Sequence, residues 1–205
     1  MIRNIVFDMG GVLIRFDRRR FMERHGVAPE DEPLLMREVF QSLEWAQMDR
    51  GTLTDEQAAA QICARVPARL HDAVHKLVSF WDRPIEPVEG MYELIGELKA
   101  NGYGIYLLPN ASLRQPDYWP RIPASRFFDG TLISAQERLV KPQPEIYRLL
   151  CERFDLRLDE CFFVDDLITN VEGACFAGMP GAVFHGDVRE LREKLRAAGV
   201  SVNAE

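Results

Sequence analysis

Hydrophobic positions along this chain fall into two patterns. Short unbroken runs occur at Ile5-Val6-Phe7, Gly104-Ile105-Tyr106-Leu107-Leu108, Gly130-Thr131-Leu132-Ile133, Cys161-Phe162-Phe163-Val164 and Gly181-Ala182-Val183-Phe184. Continuous apolar runs of this length, bounded by glycine, predict strands buried on both faces. Between most of them the apolar positions recur at helical spacing. Val88 to Ala100 sets Met91, Leu94, Ile95 and Leu98 on one face, and Pro144 to Phe154 begins with proline at its first turn. Asp187-Val188-Arg189-Glu190 reads as a capping box opening a last helix. Strands alternating with helices predict an α/β fold with a parallel sheet and right-handed crossovers.

Residues 18 to 83 interrupt the alternation. Helical patterns occupy Arg18 to His25, Pro33 to Met48 and Ala68 to Trp81, and Thr54-Asp55-Glu56-Gln57 reads as a capping box starting another. No strand pattern is present there, so a helical insert is expected after the first strand, with the sheet resuming near Pro84.

Composition narrows the class of protein. A hydrophobic fraction of 47% and an aromatic fraction of 10% suit a folded chain with a sizeable core. The net charge of −7 argues against nucleic acid or an anionic membrane as partner. No apolar run approaches the length of a membrane span or a signal peptide. Cys63, Cys151, Cys161 and Cys175 show no metal-binding or disulfide spacing, so reduced thiols and a cytoplasmic location are expected. Only Lys76, Lys99, Lys141 and Lys194 are lysines, which makes each position worth explaining.

In an open parallel sheet, ligands bind beyond the carboxyl ends of the strands. Asp8, Gly10 and Gly11 follow the first strand; Pro109, Asn110, Ala111 and Ser112 the second; Asp165, Asp166 and then Asn170 the fourth. Lys141 stands just past the third. Three carboxylates brought to one edge repel each other unless a cation joins them, and an all-oxygen set favours Mg²⁺. A lysine among them points to a second anion, most simply a phosphoryl group.

Four ordered segments carry a family likeness. Ile5-Val6-Phe7-Asp8-Met9-Gly10-Gly11-Val12, Leu107-Leu108-Pro109-Asn110, Lys141-Pro142-Gln143-Pro144-Glu145-Ile146-Tyr147 and Phe163-Val164-Asp165-Asp166-Leu167-Ile168-Thr169-Asn170 resemble the four motifs of the haloacid dehalogenase-like superfamily. Within it, the chain looks most like the α-glucose-1-phosphate phosphatase-like sugar phosphatases. The resemblance implies a Rossmann-like, three-layer core from residues 1–17 and 84–205, with a helical C1-type cap at 18–83. It implies a Mg²⁺-dependent phosphatase of a small phosphorylated metabolite, a sugar phosphate and perhaps a sugar 1-phosphate, acting as a monomer or homodimer. Asp8 would be the nucleophile that forms an aspartyl-phosphate. Asp8, the Gly10 carbonyl, Asp165 and Asp166 would hold the metal, Asn110 and the Ala111 amide would hold phosphate, and Lys141 would offset charge between them.

Two positions depart from the family pattern. Gly10 stands where most of these phosphatases carry the aspartate that acts as general acid and base, and an anomeric leaving group would need that help less. Asp17 is a candidate substitute, or a cap on the next helix. Pro109 replaces a hydroxyl residue that donates to phosphate, and Ser112 is either a replacement or a turn cap. In the cap, Trp45, Asp49 and Arg50 are expected to meet the substrate. Arg18-Arg19-Arg20 reads as a phosphate-binding cluster or a solvated helix start, and His71 and His75 as surface residues. Two competing functions remain: a metal-independent 2-haloacid dehalogenase using Asp8, and a metabolite-binding protein with weakened catalysis.

Overall fold

A computed structural model describes residues 1–203 of the chain. The last two residues of the 84–205 segment lie outside that range. Five strands, β1 (Asn4–Phe7), β2 (Gly104–Leu107), β3 (Gly130–Thr131), β4 (Cys161–Asp165) and β5 (Gly181–Val183), form one sheet in the order β3-β2-β1-β4-β5. Every pairing is parallel. Each short apolar run of the sequence thus becomes a strand, and β1 lies at the centre.

Alternate residues of these strands feed two cores. Ile5, Phe7, Ile105, Leu107, Phe162 and Val164 enter one buried cluster, while Val6, Cys161 and Phe163 enter another with Ile146, Tyr147 and Leu150. This period of two is the pleat expressing itself, and both faces are covered, as a parallel sheet requires.

Among the described residues, five α-helices fall between β1 and the point where the chain returns to the sheet layer: α1 (Arg18–Arg24), α2 (Glu32–Leu35), α3 (Leu43–Asp49), α4 (Asp55–Cys63) and α5 (His71–Ser79). The chain leaves and re-enters the sheet layer side by side, since Arg15 N donates to Glu86 O and Val88 N to Leu13 O at 2.8 and 2.9 Å. After re-entry come α6 (Met91–Ala100), α7 (Gln115–Tyr118), α8 (Ser134–Glu137), α9 (Pro144–Arg153), α10 (Ile168–Ala177) and α11 (Val188–Ala197).

Three helix readings need correction. The single helix expected over Pro33 to Met48 is broken: a π turn runs Met36–Phe40, and Ser42 caps a new helix by accepting from Trp45 N at 3.1 Å. Its hydroxyl also donates to Val39 O at 2.8 Å, so one serine closes one helix and opens the next. Ala68–Leu70 is a 3₁₀ turn ahead of α5. Asp187 caps α11 through Arg189 N, but Glu190 turns to His185 and Lys194 instead of completing a box. The Thr54–Gln57 box is complete in both directions.

Candidate active site

The site forms at the carboxyl edge of β1, β2 and β4, where the strand ends leave backbone and side chains facing outward. Lys141 Nζ lies 2.6 Å from Asp8 Oδ1 and 2.6 Å from Asp165 Oδ2. All three are buried, with exposures of 8% for Asp8, 3% for Lys141 and 0% for Asp165. Asp165 is further fixed by Leu167 N at 2.8 Å and by Asn170 Nδ2 at 3.0 and 3.1 Å. Tyr147 Oη holds the Asn170 carbonyl at 2.7 Å. Asp166 stays exposed beside them, and one carboxylate oxygen each from Asp8, Asp165 and Asp166 lies within 4.8 Å of the others.

Gly11 makes that approach sterically open. Its φ is +79°, and a Cβ there would stand 2.3 Å from Asp166 Oδ2. Only glycine combines the left-handed conformation with room for the carboxylate.

The electrostatics follow from burial. Removal from water pushes the Asp8 carboxyl up to about 7; Lys141 opposes the rise, and Asp165 reinforces it. Burial disfavours the Lys141 charge, but Asp8 and Asp165 together outweigh it and hold its pKa above the usual value. Asp166 is raised by burial and by Asp165. A region so rich in carboxylate, with one internal cation, stabilises added positive charge.

A cavity of about 310 Å³ opens above this floor. Asp8, Gly10, Asn110, Ala111, Lys141, Asp166 and Asn170 line its base. Of the three insert residues singled out from the sequence, Trp45 and Asp49 line it; Arg50 is exposed and lines a neighbouring hollow instead. Asn110 faces Lys141 in a reciprocal pair, its Nδ2 donating to Lys141 O at 3.0 Å and its Oδ1 accepting from Lys141 N at 2.9 Å. The Ala111 N–H donates to Ser134 Oγ at 2.9 Å. Asp17 caps α1 through Arg19 N and Arg20 N, and Ser112 Oγ accepts from Arg114 N at 3.4 Å in its own turn. Arg18 stands on the cavity rim with its guanidinium 5.6 Å from the Phe16 ring centre.

Met48, which precedes Gly51 with Trp45 and Asp49, lines the cavity with them, but most of the wall was missed by the sequence reading: Phe16, Val78, Trp81 and Tyr118 complete it. Phe16 joins Trp81 at 5.0 Å and Trp45 at 6.1 Å, and Trp81 meets Tyr118 at 5.3 Å between ring centres. Phe16 and Trp81 flank the two junctions of the insert, and that placement was the available signal.

The insert is anchored at one point of the site. Ser134 Oγ donates to the Asp49 carbonyl at 2.6 Å. Two residues on, Gly51 has a φ of +70°, and a Cβ there would lie 1.9 Å from Ala135 O. Gly51→Ala is therefore expected to destabilise the protein by at least about 2 kcal/mol, lowering the melting temperature by about 4–8 °C. An unchanged melting temperature in thermal denaturation would contradict the close approach of α3 to α8.

A family model for haloacid dehalogenase-like hydrolases matches residues 2–178. The chain belongs to that family. A sesquiterpene phosphatase of Aspergillus oryzae is 28% identical over 185 residues, covering 86% of each chain. A D-ribitol-5-phosphate phosphatase of Bacteroides thetaiotaomicron is 25% identical over 184 residues, covering 83% of this chain and 86% of its own. A solved HAD family enzyme of Bacteroides thetaiotaomicron, in complex with magnesium and inorganic phosphate, superposes with a TM-score of 0.69 at 24% identity, covering 93% of this chain and 99% of its own. As a haloacid dehalogenase-like hydrolase, the chain carries its family's sheet, and among the described residues no helix is long and apolar enough to cross a membrane.

Proposed function

We propose that this hydrolase is a Mg²⁺-dependent phosphatase of a small phosphorylated metabolite, with Asp8 as the nucleophile. The observation that carries the reading is the Asp8–Lys141–Asp165 cluster, with Asp166 beside it, at the floor of a cavity. Phosphatase relatives and a structural neighbour holding magnesium and phosphate support it.

The donor set fits a hard divalent cation, since every offered ligand is oxygen. Asp8, Asp166, the Gly10 carbonyl, and Asp165 directly or through water would hold it, and the bound ion supplies charge that lets an anionic substrate approach three carboxylates. Asp8 attacks phosphorus through one oxygen while Lys141 fixes the carboxylate and neutralises the phosphoryl oxygens. Asn110 holds the loop bearing Lys141 in place. Asn170 orients Asp165. The inserted helices close over the substrate as a cap and exclude water.

The sequence supports a sugar phosphate, and a sugar 1-phosphate in particular, because Gly10 leaves the departing oxygen without help. The walls favour a second reading. The leaving alcohol meets Phe16, Trp45, Met48, Val78 and Trp81, and the nearby Asp55 is already paired with Arg114 at 3.6 Å. Such a surface suits an apolar alcohol, and each further 55 Å² or so of buried apolar area adds about 1.4 kcal/mol, roughly tenfold in affinity. A phosphate-release assay should show turnover that EDTA abolishes, with kcat/KM for benzyl or prenyl monophosphate at least about tenfold above sugar 1-phosphates and 6-phosphates. A reversed order, with 1-phosphates above 6-phosphates, returns the substrate to the sugars. EDTA-resistant chloride release from a 2-haloacid, with no phosphate release, replaces the whole reading by a dehalogenase.

A further inference from the structure

Gly10 leaves the site without a proton donor next to the nucleophile, so another carboxyl group of the site has to serve. Asp166 and Asp165 belong to the acidic floor. Asp55 is held by Arg114, and Asp17 is engaged by the first turn of α1. Asp49 differs from all of them. It lines the same cavity as Asp8, Gly10 and Lys141, and among the described residues its carboxylate makes no hydrogen bond or ion pair, although its backbone is tightly held.

That hold has two parts. The Asp49 carbonyl accepts from Ser134 Oγ at 2.6 Å, and Ser134 is fully buried at 0% exposure. Ser134 Oγ in turn accepts from Ala111 N at 2.9 Å, in the loop after β2 that also carries Asn110. Gly51, with no Cβ to hold it off, lets the end of α3 sit directly on α8. The position of Asp49 over the core is therefore fixed, while its side chain remains uncommitted. An unpaired carboxyl whose backbone is fixed on the wall of the same cavity is placed to act as a general acid on a substrate held there.

We propose that Asp49 is the general acid and base of this hydrolase, delivered from the inserted helices to replace the aspartate that Gly10 lacks. The step rests on the phosphatase reading above. In the first half, an Asp8 oxygen bonds to phosphorus, the bond from phosphorus to the alcohol oxygen breaks, and that oxygen takes the proton of the Asp49 carboxyl. The products are a free alcohol and an Asp49 carboxylate. In the second half, water attacks the phosphoryl group, the bond to Asp8 breaks, and Asp49 takes the proton the water gives up. Phosphate leaves with both carboxyl groups restored. Burial, reinforced by Asp8, pushes the Asp49 carboxyl up to about 7, which keeps a proton available near neutral pH.

The test uses the full chain with Mg²⁺ and two substrates whose leaving groups differ in basicity. With 4-nitrophenyl phosphate the departing oxygen needs no proton; with benzyl phosphate it does. Asp49→Asn should lower kcat/KM for benzyl phosphate by about 10²–10³-fold, and by less than about fivefold for 4-nitrophenyl phosphate. Because water activation is lost too, Asp49→Asn should release one equivalent of nitrophenolate in a burst and then turn over slowly. Asp49→Glu, which keeps the acid one methylene farther out, should recover at least about tenfold on benzyl phosphate. Equal losses on both substrates in the two variants, with no burst, overturn the proposal and leave Asp49 a binding residue. Loss of phosphate release by the unaltered chain would instead sink the phosphatase reading, so the two failures are distinct.

Discussion

Asp8→Asn is expected to lower kcat/KM for phosphate release by at least about 10⁴-fold and, in the same variant, to raise the stability of the metal-free protein at pH 8. The loss of activity follows from chemistry: an amide of nearly the same shape keeps the contact with Lys141 but cannot attack phosphorus. The gain in stability follows from burial. Asp8 is 8% exposed, and its folded pKa of about 7 lies well above the ordinary 3.8. A group whose pKa is raised on folding binds its proton more tightly in the folded state. Its contribution is therefore full below about pH 4 and is lost as pH climbs through about 7. Above that, ionised Asp8 weighs against folding, by up to about 4 kcal/mol at 1.36 kcal/mol per unit. Asparagine carries no charge and escapes that cost. In EDTA, the variant should melt several degrees above the parent at pH 8 and by a much smaller margin at pH 4.5. Mg²⁺ should narrow the gap by stabilising the parent. Retained activity would remove Asp8 from the chemistry, and a lower melting temperature at both pH values would remove the buried-charge account.

The frame of this site was legible in the sequence for a physical reason. A parallel strand buried on both faces cannot hide its pattern among polar residues, so Ile5-Val6-Phe7 and Cys161-Phe162-Phe163-Val164 marked where β1 and β4 end, and hence where Asp8 and Asp165 emerge. The helical insert was legible as a stretch with no such run. What the pattern did not give was the insert's inner structure. The Pro33 to Met48 segment keeps helical apolar spacing across Ser42, and only the serine's double use on Val39 and Trp45 reveals the break. The cavity walls were hidden for a different reason. Phe16, Trp81 and Tyr118 lie in three separate segments and meet only when the insert folds back on the sheet, so no local spacing announces them. The place of Asn110 at the carboxyl edge of β2 was legible, while its reciprocal pairing with Lys141 depends on a loop closure that sequence spacing does not encode.

Lys141→Met should also lose most of its turnover, but with the opposite effect on stability. Lys141 spans two buried carboxylates at 2.6 Å each and is 3% exposed. Methionine fills much of the same space without charge, leaving Asp8 and Asp165 facing each other with no counter-ion. Removing one partner of a buried ion pair typically costs about 3–5 kcal/mol. Lys141 itself has a folded pKa raised above the ordinary 10.5, so its stabilisation is fully present at neutral pH and is lost only when an alkaline pH passes the folded value. In EDTA at pH 8 the variant should therefore melt about 6–20 °C below the parent, with the deficit shrinking at pH 4.5 as Asp8 takes up a proton. Activity should fall by about 10³-fold even when Mg²⁺ restores the fold, because the phosphoryl oxygens lose their fixed cation. The double variant separates charge from packing: Asp8→Asn with Lys141→Met removes one of the two carboxylates the lysine had served, so it should melt well above Lys141→Met alone. If the two single variants move the melting temperature in the same direction, or the double variant shows simple additivity, the side chains act by shape and not as one charge network.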